Sequence, residues 1–220
     1  MANDNVVATF ANDKNEYPLV SAIDQIFLTI VRALLNPQAV VEPIILMRSH
    51  VAYRATALLA MAGMNPEAFV QARSCLENAM YALHMNRNAG LDEVWLRRHD
   101  DESSLKRTRS EFSFSNVIKT LEVEDAKNAM VARSLYERTI DFGAHPNERA
   151  VTANLTVERV NGGKKLKQAY LSGGTVQQRH SMKTTAQVGL CSLYIFRLIF
   201  RERFDILGLT ASMDSHRNLL

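Results

Sequence analysis

The feature that most constrains this chain is a spacing of three and four between apolar residues, broken at intervals by proline and glycine. Such spacing gathers side chains on one face of an α-helix, whereas a half-buried strand would alternate. From Leu19 to Leu35 the residues Ile23, Ile26, Phe27, Ile30, Val31 and Leu34 follow it, and Asn36-Pro37 reads as the stop. From Pro43, the residues Ile44, Met47, Val51, Ala55, Leu58 and Ala62 predict a second helix with these side chains as its buried stripe, closed by Gly63. Asn65-Pro66-Glu67 is a helix-start signal, and Phe69, Ala72, Leu76, Ala79 and Leu83 predict a third stripe ending near Gly90. Glu124–Phe142 carries a fourth through Ala132, Leu135, Tyr136, Thr139 and Phe142, with the break at Gly143 and Pro146. The last runs from about Thr175 to Phe204 with Val188, Cys191, Ile195, Leu198 and Ile199 inward.

Two segments depart from this period. Leu91–Arg109 is charged and short-range, which predicts one or two short helices joined at Asp100, with Trp95 as a core anchor. Residues 153–173 carry Leu155, Val157 and Val160 before Asn161-Gly162-Gly163, then Leu166, Ala169 and Leu171, the pattern of a protruding β-hairpin. Residues 1–16 lack periodicity and read as a flexible N-terminal arm, and 208–220 as a flexible tail. With no linker-like composition and no fixed-period repeat, residues 17–207 form one domain. The expected fold is mainly all-α, an antiparallel helical bundle with a small β-hairpin insertion.

Several function classes are excluded before any site is considered. The 26 Lys+Arg against 23 Asp+Glu leave a charge of +3, too small for whole-chain charge to call for nucleic acid. Cys75 and Cys191 sit in apolar helical sequence and read as reduced core thiols. The acidic and amide-rich start is unlike a signal peptide, and the strongest apolar run, Gly189–Phe200, is short and holds Arg197. A cytoplasmic protein without membrane contact is expected. His99-Asp100-Asp101 has no partner ligands at recognisable spacing and no Glu-x-x-His pair occurs, so neither metal nor cofactor is expected. Phosphate-binding, dinucleotide and serine-hydrolase glycine motifs do not occur.

The stretch YERTIDFGAHPNE carries the chemistry. Arg138, Asp141 and His145 are offset by three and four, which on a regular helix places them on one face, with His145 in the turn before Pro146. An imidazole titrating near neutral pH suits proton transfer, and a guanidinium that keeps its charge suits a phosphate. Metal-free RNA cleavage needs both: a base for the ribose 2′-hydroxyl, and a cation for the charge that builds as the oxygen attacks phosphorus. A second polar line, Arg73, Glu77, Tyr81 and His84, runs beside the third stripe; with Asn147 these are candidate substrate-binding residues. The alternative for Arg73 and Glu77 is a salt bridge that fixes helix packing. The ribbon holds Arg159, Lys164, Lys165 and Lys167 against Glu158, a basic excess suited to an RNA backbone or to solubility.

Arg138-Thr-Ile-Asp-Phe-Gly-Ala-His145 resembles the Arg-x(4–6)-His motif of the HEPN superfamily of small helical bundles. VWLRRHDD and TIDFGAHPNE also resemble stretches of uncharacterised bacterial helical proteins. The HEPN resemblance implies a metal-independent ribonuclease or RNA-binding protein of a toxin or antiviral defence system, working as a homodimer. Arg138 would then bind phosphate, His145 act as base and Asp141 orient the pair. Thr139 after the Arg, Pro146 after the His and the hairpin insertion depart from that pattern. They fit the alternative, a non-catalytic helical module that binds a partner protein or nucleotide.

Overall fold

Twelve α-helices and one hairpin occupy the described residues, 1–35, 40–144, 148–152 and 154–219 of a computed structural model. The stops read at Asn36-Pro37 and Pro146, and the candidates His145 and Asn147, lie outside them. The order is α1 (Ala2–Asn12), α2 (Glu16–Ala33), α3 (Val41–Ala62), α4 (Asn65–Arg87), α5 (Leu91–Leu96), α6 (Glu102–Glu111), α7 (Phe114–Glu124) and α8 (Ala126–Thr139). A π-helical turn (Ile140–Ala144) follows, then α9 (Glu148–Thr152), β1 (Leu155–Val160), β2 (Gly163–Gln168), α10 (Val176–Ile199), α11 (Arg201–Ile206) and α12 (Leu209–Arg217).

The core gathers around α4, which packs against α3 and α10 on one side and α7 and α8 on the other. Leu76, Ala79 and Leu83 of α4, Ile23, Phe27 and Ile30 of α2, and Ile195 and Phe196 of α10 are all buried, as their spacing predicts. Burying each large apolar side chain contributes about 1.5–3 kcal/mol before entropy is subtracted. The α10–α3 approach needs a missing side chain: a Cβ at Gly189 would lie 2.3 Å from the Tyr53 ring.

α3 departs from expectation. Ile44, Met47, Val51 and Leu58 face outward, while the inward face carries Ser49, His50, Tyr53 and Thr56 beside Ile45 and Leu46. Each inward polar group has a partner. Ser49 Oγ donates to the Cys75 carbonyl at 2.9 Å, Tyr53 Oη donates to the Val20 carbonyl at 2.8 Å, and His50 Nε2 meets Asp24 Oδ1 at 2.6 Å. Satisfied in this way, polar groups are tolerated inside.

The termini are also corrected. The expected arm is helix α1, docked on the end of α3 by Asn5 Nδ2 donating to the Ala62 carbonyl at 2.9 Å and Thr9 Oγ1 to that of Met61 at 3.1 Å. These carbonyls lack partners within their own helix, so polar side chains supply the attachment and no apolar stripe announces it. The expected tail contains α12, whose Met213 is fully buried. α7 fills a segment without a sequence assignment, and α10 ends at Ile199 rather than Phe204. The ribbon forms as expected, with Val160 paired to Gly163 across Asn161-Gly162 and β2 exposed along its whole length. Among the described residues, no helix is long and apolar enough to cross a membrane.

Candidate functional site

α8 starts at Asp125, whose carboxylate accepts from the Asn128 backbone N–H at 2.9 Å, and after Thr139 it widens into the π turn. Close packing accompanies the change. A Cβ on Gly143 would lie 2.1 Å from the Pro66 carbonyl oxygen and 2.8 Å from Phe69 Cβ, so this position must be glycine for the turn to sit on the start of α4. Phe142 stacks on Phe69 at 5.4 Å and meets the His180 ring edge-on at 5.0 Å. Such turns hold more residues per revolution than an α-helix, so the regular offsets read from the sequence no longer apply past Thr139.

Arg138 and Asp141 accordingly have different partners. Arg138 Nη1 donates to Gln187 Oε1 at 2.6 Å and to Thr184 Oγ1 at 3.3 Å, both on α10. Asp141 instead accepts from Arg149 Nη1 of α9 at 3.0 Å, so the expected role in orienting Arg138 is not supported by its contacts. Burial alone pulls the Arg138 guanidinium below its ordinary pKa, and among the described residues it has no ion-pair partner. His180 lies one turn before Thr184 on α10, and its pKa is lowered by burial and then by the Arg138 charge, which favours the neutral imidazole. The sequence reading passed over His180, Thr184 and Gln187; their offsets of four and three from one another were the available signal.

Arg138 lines a groove of about 690 Å³ between α8, α10 and α12. Its apolar wall includes Leu135 and Leu190, and Lys127, Arg197 and Arg217 add cationic charge against Asp125 and Asp214. Tyr194 Oη donates to Asp214 at 2.6 Å, and burial with this carboxylate pushes the phenol up to about 12. Arg217 lies over the Tyr194 ring at 5.5 Å, and Arg197 Nε donates to Thr210 Oγ1 at 2.9 Å. No single stretch of sequence signals this groove, because three helices build it.

The second polar line packs α4 against its neighbours. Arg73 Nε donates to Glu77 Oε1 at 2.8 Å, and Nη2 donates to Tyr136 Oη at 2.7 Å. Burial works against the Arg73 charge, but the Glu77 carboxylate outweighs it and raises the pKa. Tyr81 Oη donates to the Phe112 carbonyl at 3.0 Å, and His84 Nδ1 meets Thr120 Oγ1 at 2.7 Å, with burial lowering the imidazole pKa. These partners belong to α4, α7, α8 and the α6–α7 junction, whereas the Arg138 hydrogen bonds run to α10.

Elsewhere, Asp101 caps α6 by accepting from the Ser104 N–H at 2.7 Å. Among the described residues no three His, Cys, Asp or Glu side chains gather to hold a metal ion. Cys75 and Cys191 are free and buried, the Cys75 thiol pushed up to about 11 by burial. No family model matches the chain, and neither a curated protein nor a solved structure is found similar to it.

Proposed function

We propose that this chain is a HEPN-like RNA-binding protein that takes a backbone phosphate into the α8–α10–α12 groove and cleaves beside it without metal. The supporting observation is Arg138: a half-buried guanidinium held by two neutral acceptors, with no ion-pair partner among the described residues. Holding a charge out of water without a counter-ion is costly, and a phosphate oxygen supplies both the charge and the hydrogen-bond acceptors. Lys127, Arg197 and Arg217 extend the positive lining for neighbouring phosphates.

In the proposed step, His145 takes the proton of a ribose 2′-hydroxyl, the oxygen attacks the adjacent phosphorus, and the 5′-oxygen leaves with a proton. The product is a 2′,3′-cyclic phosphate, and Arg138 offsets the charge that builds in between. His145 is assigned by the sequence motif, since it lies outside the described residues. The homodimer implied by the HEPN resemblance belongs to the same proposal. A second reading, a non-catalytic module holding a nucleotide or partner protein in this groove, is favoured by Asp141, whose carboxylate meets Arg149 and not Arg138.

RNA incubated in EDTA with wild type, His145→Ala and Arg138→Ala separates the readings when binding and melting are measured alongside. Cleavage without metal that disappears in both variants, with binding kept by His145→Ala and weakened by Arg138→Ala, is the expected pattern. Binding with no cleavage by wild type supports the second reading, and absence of both overturns the proposal.

A further inference from the structure

α3 is inside out. Its polar side chains Ser49, His50 and Tyr53 point into the core with their partners, while Ile44, Met47, Val51 and Leu58 are 52%, 46%, 55% and 56% exposed. A contiguous apolar stripe on a surface that could have been polar marks a face that another surface covers. We infer that a second copy of this chain covers it, the two α3 helices packing antiparallel about a two-fold axis at Val51.

The spacing supports this occupant. From Ile44 the stripe steps three, four, four and three through Met47, Val51 and Ala55 to Leu58, the same in both directions. In an antiparallel pair centred on Val51, each residue meets the one equally far on the other side. Ile44 therefore faces Leu58 of the other copy, Met47 faces Ala55, and Val51 faces itself. Large opposes small at the Met47–Ala55 level, which suits helices whose axes are about 8–10 Å apart. This self-complementarity is what an isologous two-fold contact requires.

The charges at the edge are compatible with the same arrangement. Arg48 faces Arg54 of the other copy, but Arg54 is already neutralised by Asp24, which accepts from its Nε at 2.7 Å and its Nη2 at 2.8 Å. A membrane surface suits the stripe less well. A helix lying in a lipid interface keeps its other face in water, and here that face is buried in the bundle. A single-helix seam is small beside the roughly 800 Å² per partner of a standard interface, so the dimer is reversible and follows concentration. The inference rests on α3 alone and holds whether or not the chain acts on RNA.

The test uses the full chain. Sedimentation over a concentration series should approach twice the 24.7 kDa chain mass, and Val51→Glu, which sets two carboxylates on the axis, should weaken association at least tenfold with little change in melting temperature. Val51→Cys should cross-link to itself through a short bismaleimide, whereas Val123→Cys, equally available on α7, should not; the native thiols are buried. Met47→Cys chains should cross-link with Ala55→Cys chains but poorly with each other, because two copies of position 47 lie about 12 Å apart along the axis. A wild type that stays monomeric, a dimer that ignores Val51→Glu without cross-linking at position 51, or flotation of monomers with anionic lipid vesicles would each overturn the inference. If Val51→Glu fails to fold, the cysteine pairs decide alone.

Discussion

α3 and α4 are neighbouring helices of nearly equal length, and both carry apolar residues at helical spacing, yet one turns its stripe inward and the other outward. In α4 the stripe Phe69, Ala72, Leu76, Ala79 and Leu83 is the core. In α3 the comparable stripe is surface, and the inward positions are held by Ser49, His50 and Tyr53 through bonds to α4 and α2. Periodicity thus identifies a helix and an apolar face, while the partners available to the opposite face decide which one the core receives. Leu76→Ala and Leu58→Ala test this most sharply. The first should cost about 2–5 kcal/mol in urea unfolding. The second should stay within about 0.5 kcal/mol when measured in dilute, dissociated protein. Equal costs would break the comparison.

The next effect concerns the polar inward face of α3. Tyr53→Phe removes the hydroxyl that donates to the Val20 carbonyl and leaves that acceptor buried, at a cost of about 1–3 kcal/mol. A thermal melt indistinguishable from wild type would mean that burial of the ring alone holds α3 in its orientation.

What the sequence made legible follows the same division. α2, α4 and α10 were readable because Ile23, Leu76 and Ile195 belong to apolar stripes that are also buried. α1 and α12 were not, because Asn5 and Thr9 attach the first helix through carbonyls, and Tyr194–Asp214 and Arg197–Thr210 help hold the second. The ribbon was legible from Asn161-Gly162, a local signal. Of the candidate site, Arg138 could be found from its motif, but its partners Thr184 and Gln187 are 46 and 49 residues away. The break in register between Arg138 and Asp141 comes from the π turn, which depends on Gly143 meeting the backbone of Pro66. That is a tertiary contact with no local mark beyond the glycine itself.

Acid should separate the two helices. The His84 imidazole of α4 has its pKa lowered by burial, so its contribution is fully present above 6.5 and is lost as pH falls through that value towards the folded one. His180 acts in the same direction. Burial alone would raise the pKa of Asp24, which bonds to α3, but its hydrogen bonds from His50 and Arg54 outweigh this and hold the carboxyl well below 3.8. Its contribution is therefore present above that pH and lost below it. Melting temperature against pH should fall in two steps, with His84→Gln flattening the upper one and Asp24→Asn the lower. A single step, insensitive to both substitutions, would remove this distinction.

The smallest effect uses the ribbon as a charged control for the exposed apolar face of α3. The register sets Arg159 directly opposite Lys164, and like charges so placed repel by up to about 1 kcal/mol. Lys164→Glu turns that pair into an attraction, but the ribbon is exposed, so global unfolding should hardly change. Association through α3 should not change either. If the ribbon reaches RNA, the loss should appear in the salt dependence of binding, where the slope of log affinity against log salt falls by about 0.7 for each phosphate contact removed from a single strand. An unchanged slope would confine RNA contact to the groove beside Arg138, whereas a changed dimer affinity would mean that the ribbon, and not α3 alone, faces the second copy.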